Sequence, residues 1–409
     1  MSQPLIPVEQ IQSARERAVG IVKTTPLDLS ATLSARCGRQ IYLKLENLQK
    51  TGAFKVRGAL NKIQLLGAAP RARGVVTASA GNHAQGVAYA ARMLNVPVTV
   101  VMPETASLSK VDATVGYGAD VMLCGRDYAE AFAKAATLAE ERGATFIHAY
   151  DDPDIIAGQG TLGLELLDQL ADFDTVVVPV GGGGLLAGIA SALRGAGCGA
   201  RLVAVQAAGA SSLAPSLRAG GRIELATVET IADGLATRSV GALPFEIVRG
   251  TVDAAVEVSD AEIAAAILLL LERTKTVVEG AGAVGVAACL GGRLPADARK
   301  VVVVISGGNI DTNLLDRVIN LGLVTTGRLF RFTTRLIDRP GELQRLIGCV
   351  AACRANIHQI RHERARPGLP PTQAAVTLEV ETRGDEHVTE IECALVAAGF
   401  ALDRDPVTD

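Results

Sequence analysis

The sequence predicts an α/β protein with two lobes built on parallel-rich sheets, followed by a ferredoxin-like module. Short β-branched segments alternate with longer helical segments through the first 325 residues, which is typical of parallel sheets covered by helices on both faces. This region is too long for one hydrophobic core and therefore favours two lobes. Beyond residue 325 the pattern changes to β-α-β-β-α-β over about 80 residues.

Nine segments of the first region have the composition of buried strands: 40–45, 74–79, 96–101, 119–124, 145–150, 175–180, 202–206, 254–259 and 301–306. In the last region, alternating patterns predict strands at 328–336, 355–364 and 374–381, and "GFAL" (399–402) predicts a fourth. Apolar spacing predicts helices through Leu346 and Ile391. We therefore expect a domain at 1–325, with a smaller lobe at roughly 45–150 nested within it, and a second domain at 326–409.

Composition argues against nucleic acid and membranes as partners. The net charge is −3, and neither sign forms long runs. The longest apolar run, 263–271, has nine residues, whereas a membrane span needs about 20. The N-terminus lacks a signal-peptide core, and the seven scattered cysteines include no Cys-x-x-Cys pair. We expect a cytoplasmic protein with reduced thiols and no structural metal.

A lysine in an apolar setting is the first candidate catalytic residue. The chain has nine lysines against 31 arginines, yet Lys55 lies between Phe54 and Val56 in "KTGAFKVRGA". An amine can lose its proton and attack a carbonyl, whereas a guanidinium stays charged. The sequence therefore predicts that Lys55 acts through its neutral amine.

Four consecutive glycines mark a candidate phosphate site. They follow a buried strand and lead into a helix in "VVVPVGGGGLLAGIA" (176–190). Converging backbone N–H groups at a helix N-terminus bind phosphate, whereas a turn without a ligand would not account for the entropic cost of four glycines. The segment also fits a loose dinucleotide fingerprint, but the next strand ends at Gln206 and not at an acidic residue. Nicotinamide binding is therefore the weaker alternative.

Two further strand–helix turns carry polar residues. In "TASAGNHAQG", Ser79, Gly81, Asn82 and His83 place donors at a helix N-terminus, where a carboxylate would bind; His83 alone is also consistent with a structural role. In "VVVVISGGNID", Ser306 follows a buried strand, and a helix cap is its simpler role. Together with the lysine, three such turns facing one cleft predict a small-molecule site.

The segments "KTGAFKVRGA", "ASAGNHAQG", "PVGGGGLLAG" and "ISGGNID" resemble the fold-type-II pyridoxal-phosphate enzymes, in the branch of threonine dehydratases (threonine ammonia-lyases) and serine racemases. The resemblance covers residues 5–325, and the C-terminal segment resembles an ACT regulatory domain. It implies the β-elimination of L-threonine to 2-oxobutanoate and ammonia, and of L-serine to pyruvate. Lys55 would form the Schiff base and, once freed, remove the Cα proton.

The resemblance also implies the remaining site residues. Those around the cofactor would be Lys55, Phe54, Asn82 at the ring hydroxyl, Gly181, Gly182, Gly183, Gly184 and Leu185 at the phosphate, and Ser306 at the pyridine nitrogen. Those around the substrate carboxylate would be Ser79, Ala80, Gly81 and His83.

Two departures from the serine racemase pattern favour elimination. Ala80 stands where those racemases carry the second serine of "SSGNH". Their divalent-metal site uses acidic side chains, whereas the matching positions are Gln206 and Ser212, with Ala210 offering only its carbonyl, so we expect no Mg²⁺ or Mn²⁺ there. The alternatives are a serine or 3-hydroxyaspartate dehydratase or racemase of the same fold, a nicotinamide-dependent oxidoreductase, and a non-catalytic amino-acid sensor.

In ACT domains an amino acid commonly binds where two modules pack, and isoleucine or valine would be natural effectors of a biosynthetic enzyme. The matching regulatory residues are Asp338, Pro340, Gly341, Asn356 and Ile357. Oligomerisation without a ligand is the alternative role of this module. A homodimer or homotetramer is expected in either case.

Overall fold

Residues 5–365 and 367–404 are described by a computed structural model. The strands are β1 (Leu27–Leu29), β2 (Gln40–Leu45), β3 (Val75–Ala78), β4 (Val98–Met102), β5 (Asp120–Leu123), β6 (Thr145–Phe146), β7 (Thr175–Pro179), β8 (Arg201–Ala207), β9 (Ala254–Val258), β10 (Lys300–Ile305), β11 (Leu329–Ile337), β12 (Asn356–Glu363), β13 (Gln373–Glu381) and β14 (Leu402–Arg404). The helices are α1 (Val8–Ala18), α2 (Ala31–Cys37), α3 (Val56–Leu65), α4 (Ala68–Arg73), α5 (Asn82–Met93), α6 (Leu108–Gly116), α7 (Tyr128–Arg142), α8 (Pro153–Gln169), α9 (Gly184–Gly195), α10 (Leu213–Ala219), α11 (Ala242–Val248), α12 (Asp260–Arg273), α13 (Gly280–Leu290), α14 (Thr312–Thr325), α15 (Glu342–Ala352) and α16 (Asp385–Ala397).

The chain divides into two units, one ending at Asp311 and the other beginning at Thr312. The larger sheet of the first unit has the order β1-β2-β10-β7-β8-β9, in which only β1 is antiparallel to its neighbour. The central strands β7 and β10 consist mainly of valine, and all their residues except Lys300 are buried, as expected when helices cover both faces. Because β7 and β10 are parallel neighbours, the glycine segment and Ser306 leave the sheet at the same edge.

The smaller sheet of this unit has the order β5-β4-β3-β6 and is wholly parallel. Its strands lie between β2 and β7 along the chain, so this lobe is an insertion into the larger one. Strand β3 ends at Ala78, directly before the polar turn at 79–82. The turn therefore lies at the carboxyl edge of the smaller sheet.

Helices α3, α8 and α9 pack through glycine contacts. A Cβ on Gly158 of α8 would lie 2.5 Å from the Cα of Gly58 on α3. A Cβ on Gly188 of α9 would lie 2.6 Å from the backbone nitrogen of Gly160 on α8. Only glycine allows backbones to approach this closely. Helix α8 is therefore a thin spacer between the helix that begins after Lys55 and the helix that begins in the glycine segment.

The second unit carries an antiparallel sheet of order β12-β13-β11-β14 with helices α15 and α16. The buried residues Phe332, Leu346, Val376, Leu378 and Ile391 contribute to one apolar cluster in this unit. The order β11-α15-β12-β13-α16-β14 is the ferredoxin-like plan. The predicted fold class is therefore confirmed for both regions. The predicted boundary at 325/326 coincides with the end of α14. The division of the chain into two units falls at 311/312, directly before this helix.

Two predicted strands are largely wrong. Segment 399–402 overlaps the observed strand β14 only at Leu402. Segment 145–150 is a strand only at Thr145–Phe146. The ring nitrogen Nδ1 of His148 accepts the backbone N–H groups of Tyr150 (3.2 Å) and Asp151 (2.8 Å). These bonds turn the backbone away from the sheet. The three-residue strand β1 was not predicted, because it is too short to show a pattern.

None of the helices within the described ranges is long and apolar enough to cross a membrane.

Candidate active site

Lys55 lies where two of the predicted segments meet. Ala53 pairs with Gly307 in an antiparallel bridge, and the backbone N–H of Phe54 donates to the carbonyl of Ser306 at 3.1 Å. The Lys55 Nζ donates to the carbonyl of Ala149 at 3.1 Å. The structure thus brings the lysine, Ser306 and the turn after β6 together.

The amine of Lys55 is poised near its neutral form. Burial lowers the pKa of Lys55 to about 8, while the carboxyl of Glu279 acts in the opposite direction. The Nζ lies 5.1 Å from the centre of the Phe54 ring. With this pKa, about a tenth of the amine is unprotonated at pH 7 and about half at pH 8, and the unprotonated form is the one that acts as a nucleophile or base.

A group of four buried charges includes Arg57, two residues after the lysine, and the sequence analysis did not anticipate it. The guanidinium of Arg57 donates to both oxygens of Glu46 (2.7 Å each) and to both oxygens of Glu165 (2.7 and 3.0 Å). The Nζ of Lys44 donates to Glu165 at 2.6 Å. Two positive and two negative charges balance, and they connect β2, α3 and α8.

The glycine segment forms a cradle closed by Tyr150. A Cβ on Gly182 would lie 2.3 Å from carbons of the Tyr150 ring, and a Cβ on Gly184 would lie 2.9 Å from the Tyr150 carbonyl oxygen. Gly183 has φ +91°, which side chains other than glycine rarely adopt. Leu185 is buried in the core in the first turn of α9. The segment thus places backbone N–H groups at a helix N-terminus, which fits a phosphate.

The polar turn before α5 offers donors to a carboxylate, but His83 offers no charge. The Ser79 Oγ accepts the backbone N–H of Gly81 at 3.1 Å, and Ala80 adds only a methyl group. His83 is buried, and its Nε2 donates to the carbonyl of Ile147 at 3.1 Å. Burial, followed by the charge of Lys55, lowers the pKa of His83 to about 3. An anion at this turn would therefore be held by the helix N-terminus and not by an imidazolium.

Glu279 is a site residue that sequence reasoning missed. Its Oε1 accepts from the Asn82 Nδ2 at 2.7 Å. Burial raises the pKa of Glu279 to about 7, and Asp233 adds to this effect, while the bond from Asn82 opposes it. The available signal was one acidic residue in "TVVEGAGAVGVAA", directly before a helix that is buried on all sides.

Ser306 is buried at the end of β10. Its hydroxyl donates to the backbone carbonyl of Ala281 at 3.3 Å. The side chain is thus held against the start of α13, the helix that Glu279 precedes.

The positions matched to the racemase metal site hold an amide. The Nε2 of Gln206 donates to the carbonyls of Val180 (3.1 Å) and Ala210 (3.3 Å), and its Oε1 accepts from the Leu213 N–H at 2.6 Å. The Ser212 hydroxyl is buried. Within residues 5–365 and 367–404, no three His, Cys, Asp or Glu side chains lie together in a way that suits a metal ion.

The predicted regulatory residues do not lie together within one copy of the chain. Ile357 pairs with Val380, which pairs with Phe330 near the start of β11. Asp338 follows the last residue of β11, and its carboxylate pairs with Arg364 at 2.9 Å. At about 3.3 Å per residue, the two segments lie about 25 Å apart along the strand. Pro340 and Gly341 share the turn of Asp338, whereas Asn356 lies beside Ile357.

Comparison with known proteins adds a family to this geometry. The family model described as "Pyridoxal-phosphate dependent enzyme" matches residues 20–307. The L-threonine ammonia-lyase of Thermotoga maritima is 48% identical over 398 residues, which cover 97% of this chain and 99% of that protein. Among solved structures, the processed form of threonine deaminase isoform 2 from Solanum lycopersicum has 35% identity and a TM-score of 0.72 over 78% of this chain and 96% of that one. Maize serine racemase has 36% identity and a TM-score of 0.74 over 78% and 98%.

Proposed function

Because this chain belongs to the family of pyridoxal-phosphate-dependent enzymes, we propose that it deaminates L-threonine to 2-oxobutanoate and ammonia. One structural observation carries the proposal. The Lys55 amine bonds to the Ala149 carbonyl, and the next residue, Tyr150, covers the glycine cradle. The backbone at residues 149–150 thus lies between an amine with a pKa of about 8 and the proposed phosphate cradle. The similarity to the Thermotoga maritima L-threonine ammonia-lyase supports the choice of substrate.

The residues present fit pyridoxal phosphate. Backbone N–H groups of 181–185 would hold its phosphate, Asn82 its ring hydroxyl, Ser306 its pyridine nitrogen and Lys55 its aldehyde carbon. When bound, the cofactor supplies an electron-withdrawing ring that stabilises negative charge at the substrate α carbon. A serine hydroxyl beside the pyridine nitrogen does not enforce its protonation, which suits elimination of a β-leaving group.

The side chains of this chain would then act in a defined order. The turn 79–83 would hold the substrate carboxylate at the N-terminus of α5 and so fix the α carbon. The Lys55 Nζ, neutral in part because it is buried, would take the α proton as general base. The protonated Lys55 would then give this proton to the departing β-hydroxyl, which leaves as water. The Lys55 amine, neutral again, would displace the product enamine, and hydrolysis of the enamine would yield the 2-oxoacid and ammonia. Ala80 has no hydroxyl that could return a proton to the opposite face, so elimination would exceed racemisation.

Replacement of Lys55 tests this proposal. The purified protein should show an absorbance band near about 410 nm that borohydride removes. Lys55→Ala should lack this band and should form no 2-oxoacid from threonine. Lys50→Ala removes an exposed lysine of the same segment and should retain both properties. Persistence of the band and of 2-oxoacid formation in Lys55→Ala would exclude the proposed role.

A substrate panel addresses the choice among hydroxy-amino acids. Threonine and serine differ by one methyl group, which changes discrimination by about 1–3 kcal/mol. We propose that L-serine is a second substrate and gives pyruvate. The similarity to maize serine racemase makes a serine or 3-hydroxyaspartate dehydratase or racemase the second candidate. D-serine formation exceeding pyruvate formation would favour that candidate.

We further propose that the second unit is an ACT domain that regulates the enzyme through a bound amino acid. The ferredoxin-like order of its elements supports this assignment. Because the two predicted effector segments lie about 25 Å apart along β11, a site that includes both needs two copies of the module. A homodimer or homotetramer is therefore part of the proposal. Isoleucine and valine should change threonine turnover, and threonine should in turn change their affinity.

A cytoplasmic location is also proposed. All seven cysteines are unpaired, as expected in a reducing compartment.

A further inference from the structure

Asn309 belongs to the "ISGGNID" segment and has no part in the proposed function, yet its half-buried side chain bonds to residues of the site. Its Nδ2 donates to the carbonyl of Thr51 at 2.7 Å and to the Asn82 Oδ1 at 2.8 Å. A Cβ on Gly52 would lie 2.3 Å from the Asn309 Oδ1, and Gly52 has φ +69°. Asn309 therefore packs against the turn that precedes the lysine and reaches Asn82 from there.

The carbonyl of Thr51 fixes the direction of each hydrogen bond in this group. A backbone carbonyl only accepts, so the atom of Asn309 that faces it must be the amide nitrogen. The second hydrogen of this nitrogen is directed at Asn82, whose Oδ1 is the nearer acceptor at 2.8 Å, while the Gln85 Oε1 lies at 3.4 Å. Asn82 therefore presents its oxygen to Asn309. The nitrogen of Asn82 consequently faces Glu279, which accepts at 2.7 Å. One N–H of Asn82 is then left to donate elsewhere.

We propose that Asn309 is a positioning residue that keeps an N–H of Asn82, and not its carbonyl, directed at the ring oxygen of pyridoxal phosphate. The inference rests on the proposed function, which places Asn82 at that oxygen. A donated N–H stabilises the ionised ring oxygen, whereas a carbonyl in its place would accept and so stabilise the protonated form. The orientation of one amide thus sets the protonation state of the ring oxygen.

The test measures the absorbance of the bound cofactor at fixed pH and full occupancy. Asn309→Asp keeps the shape of the side chain but, when ionised, only accepts, so the Asn82 amide should turn and donate to it. Asn309→Ala removes the donor without adding an acceptor. We expect the ratio of the band near about 410 nm to the shorter-wavelength band of the protonated form to fall about tenfold in Asn309→Asp and by less in Asn309→Ala. Asn320→Ala is the matched control, because this exposed side chain bonds to the backbone carbonyl of Asp316 in its own helix, and its ratio should not change.

The outcomes separate this proposal from its premise. A fall in the ratio in Asn82→Ala and in both Asn309 variants, largest in Asn309→Asp, supports the proposal. A fall in Asn82→Ala alone overturns it and leaves the proposed function standing. An unchanged ratio in Asn82→Ala overturns the placement of Asn82 and the proposal together, while 2-oxoacid formation in Lys55→Ala tests the deamination independently.

Two further results bear on the role of Asn309. A larger fall in Asn309→Ala than in Asn309→Asp would indicate that the side chain acts by filling space, and this would overturn the proposal. If circular dichroism shows that Asn309→Asp does not fold, Asn309→Ala decides alone. An unchanged ratio in that variant overturns the proposal, and a lowered ratio supports it.

Discussion

Replacing Arg57 with methionine should destabilise the protein strongly. The guanidinium is buried and donates to Glu46, Glu165 and the Thr161 hydroxyl. Methionine would fill most of the space but supply neither charge nor donor. The group would change from two positive and two negative charges to one positive and two negative. Glu165 would keep its bond from Lys44, whereas Glu46 would lose its guanidinium partner while still buried.

The magnitude follows from the burial of these groups. Removing one partner of a buried ion pair costs about 3–5 kcal/mol, since the other charge remains desolvated. A domain is typically stable by about 5–15 kcal/mol, so this loss is a large fraction of the total. Arg57→Lys should lose less, because it keeps the charge but not the bidentate geometry. The double variant Arg57→Met/Glu46→Gln should regain part of the loss, because it removes the unpaired carboxylate.

The assay is urea unfolding of the holoenzyme at several pH values. Burial would raise the pKa of Glu46, but the neighbouring Arg57 outweighs it and holds this pKa below its usual 4.5. In the wild type the carboxylate therefore contributes stability above pH 4.5 that is lost as pH falls through the lowered pKa. In Arg57→Met burial should raise the same pKa above 4.5, so that the variant gains relative stability on acidification. The difference between the two proteins should be largest near pH 7 and should shrink towards pH 4.

A surface arginine serves as the control. Arg126 is highly exposed and pairs with Glu130 one turn along, so Arg126→Met should cost about 0.5 kcal/mol or less. A loss below about 1 kcal/mol in Arg57→Met, or a loss that does not vary with pH, would show that the four charges do not form the balanced group described above.

Three other predictions concern the site. Gly182→Ala should weaken cofactor binding at least tenfold in a fluorescence titration of the apoenzyme, because its Cβ would lie 2.3 Å from the Tyr150 ring. Gly199→Ala, whose Cβ would have nothing within 4 Å, should bind the cofactor normally. Equal cofactor affinities in the two variants would contradict the cradle. The rate at which the apoenzyme captures pyridoxal phosphate, measured by stopped flow, should rise with pH through about 8, as the Lys55 amine loses its proton. In Glu279→Gln the rise should occur at lower pH, because the Glu279 carboxyl raises the pKa of Lys55. An unchanged pH profile would show that Glu279 does not affect the pKa of Lys55. Ala80→Ser should increase D-serine formation from L-serine by chiral chromatography, and an unchanged yield would refute the reasoning on the opposite face.

Local patterns were sufficient for most of the fold. The valine runs of β7 and β10 predict strands buried on both faces, and the alternation of β11 predicts a strand buried on one face. Both patterns can be read from neighbouring residues. The segment after Phe146 shows the limit of this reasoning. Its apolar and aromatic residues suit a strand, but the ring nitrogen of His148 captures two backbone N–H groups and ends the pairing.

In the candidate site, too, some residues could be predicted from the local sequence and others could not. Lys55 and the glycine segment are conspicuous because their immediate neighbours are unusual for those residue types. Glu46 and Glu165 are 119 positions apart, and neither has a distinctive setting until the fold places Arg57 between them. Glu279 reaches Asn82 across 197 positions. Contacts of this kind depend on tertiary pairing, which a single sequence does not display.

The glycine contacts of α8 have a consequence for the reach of the site. The helices on either side begin just after Lys55 and within the glycine segment. In the proposed function these two places would bind opposite ends of one rigid cofactor. The thickness of α8 therefore sets the distance that this molecule has to span. Even a single methyl group at Gly58, Gly158, Gly160 or Gly188 would force the backbones apart and lengthen the gap that the cofactor has to bridge.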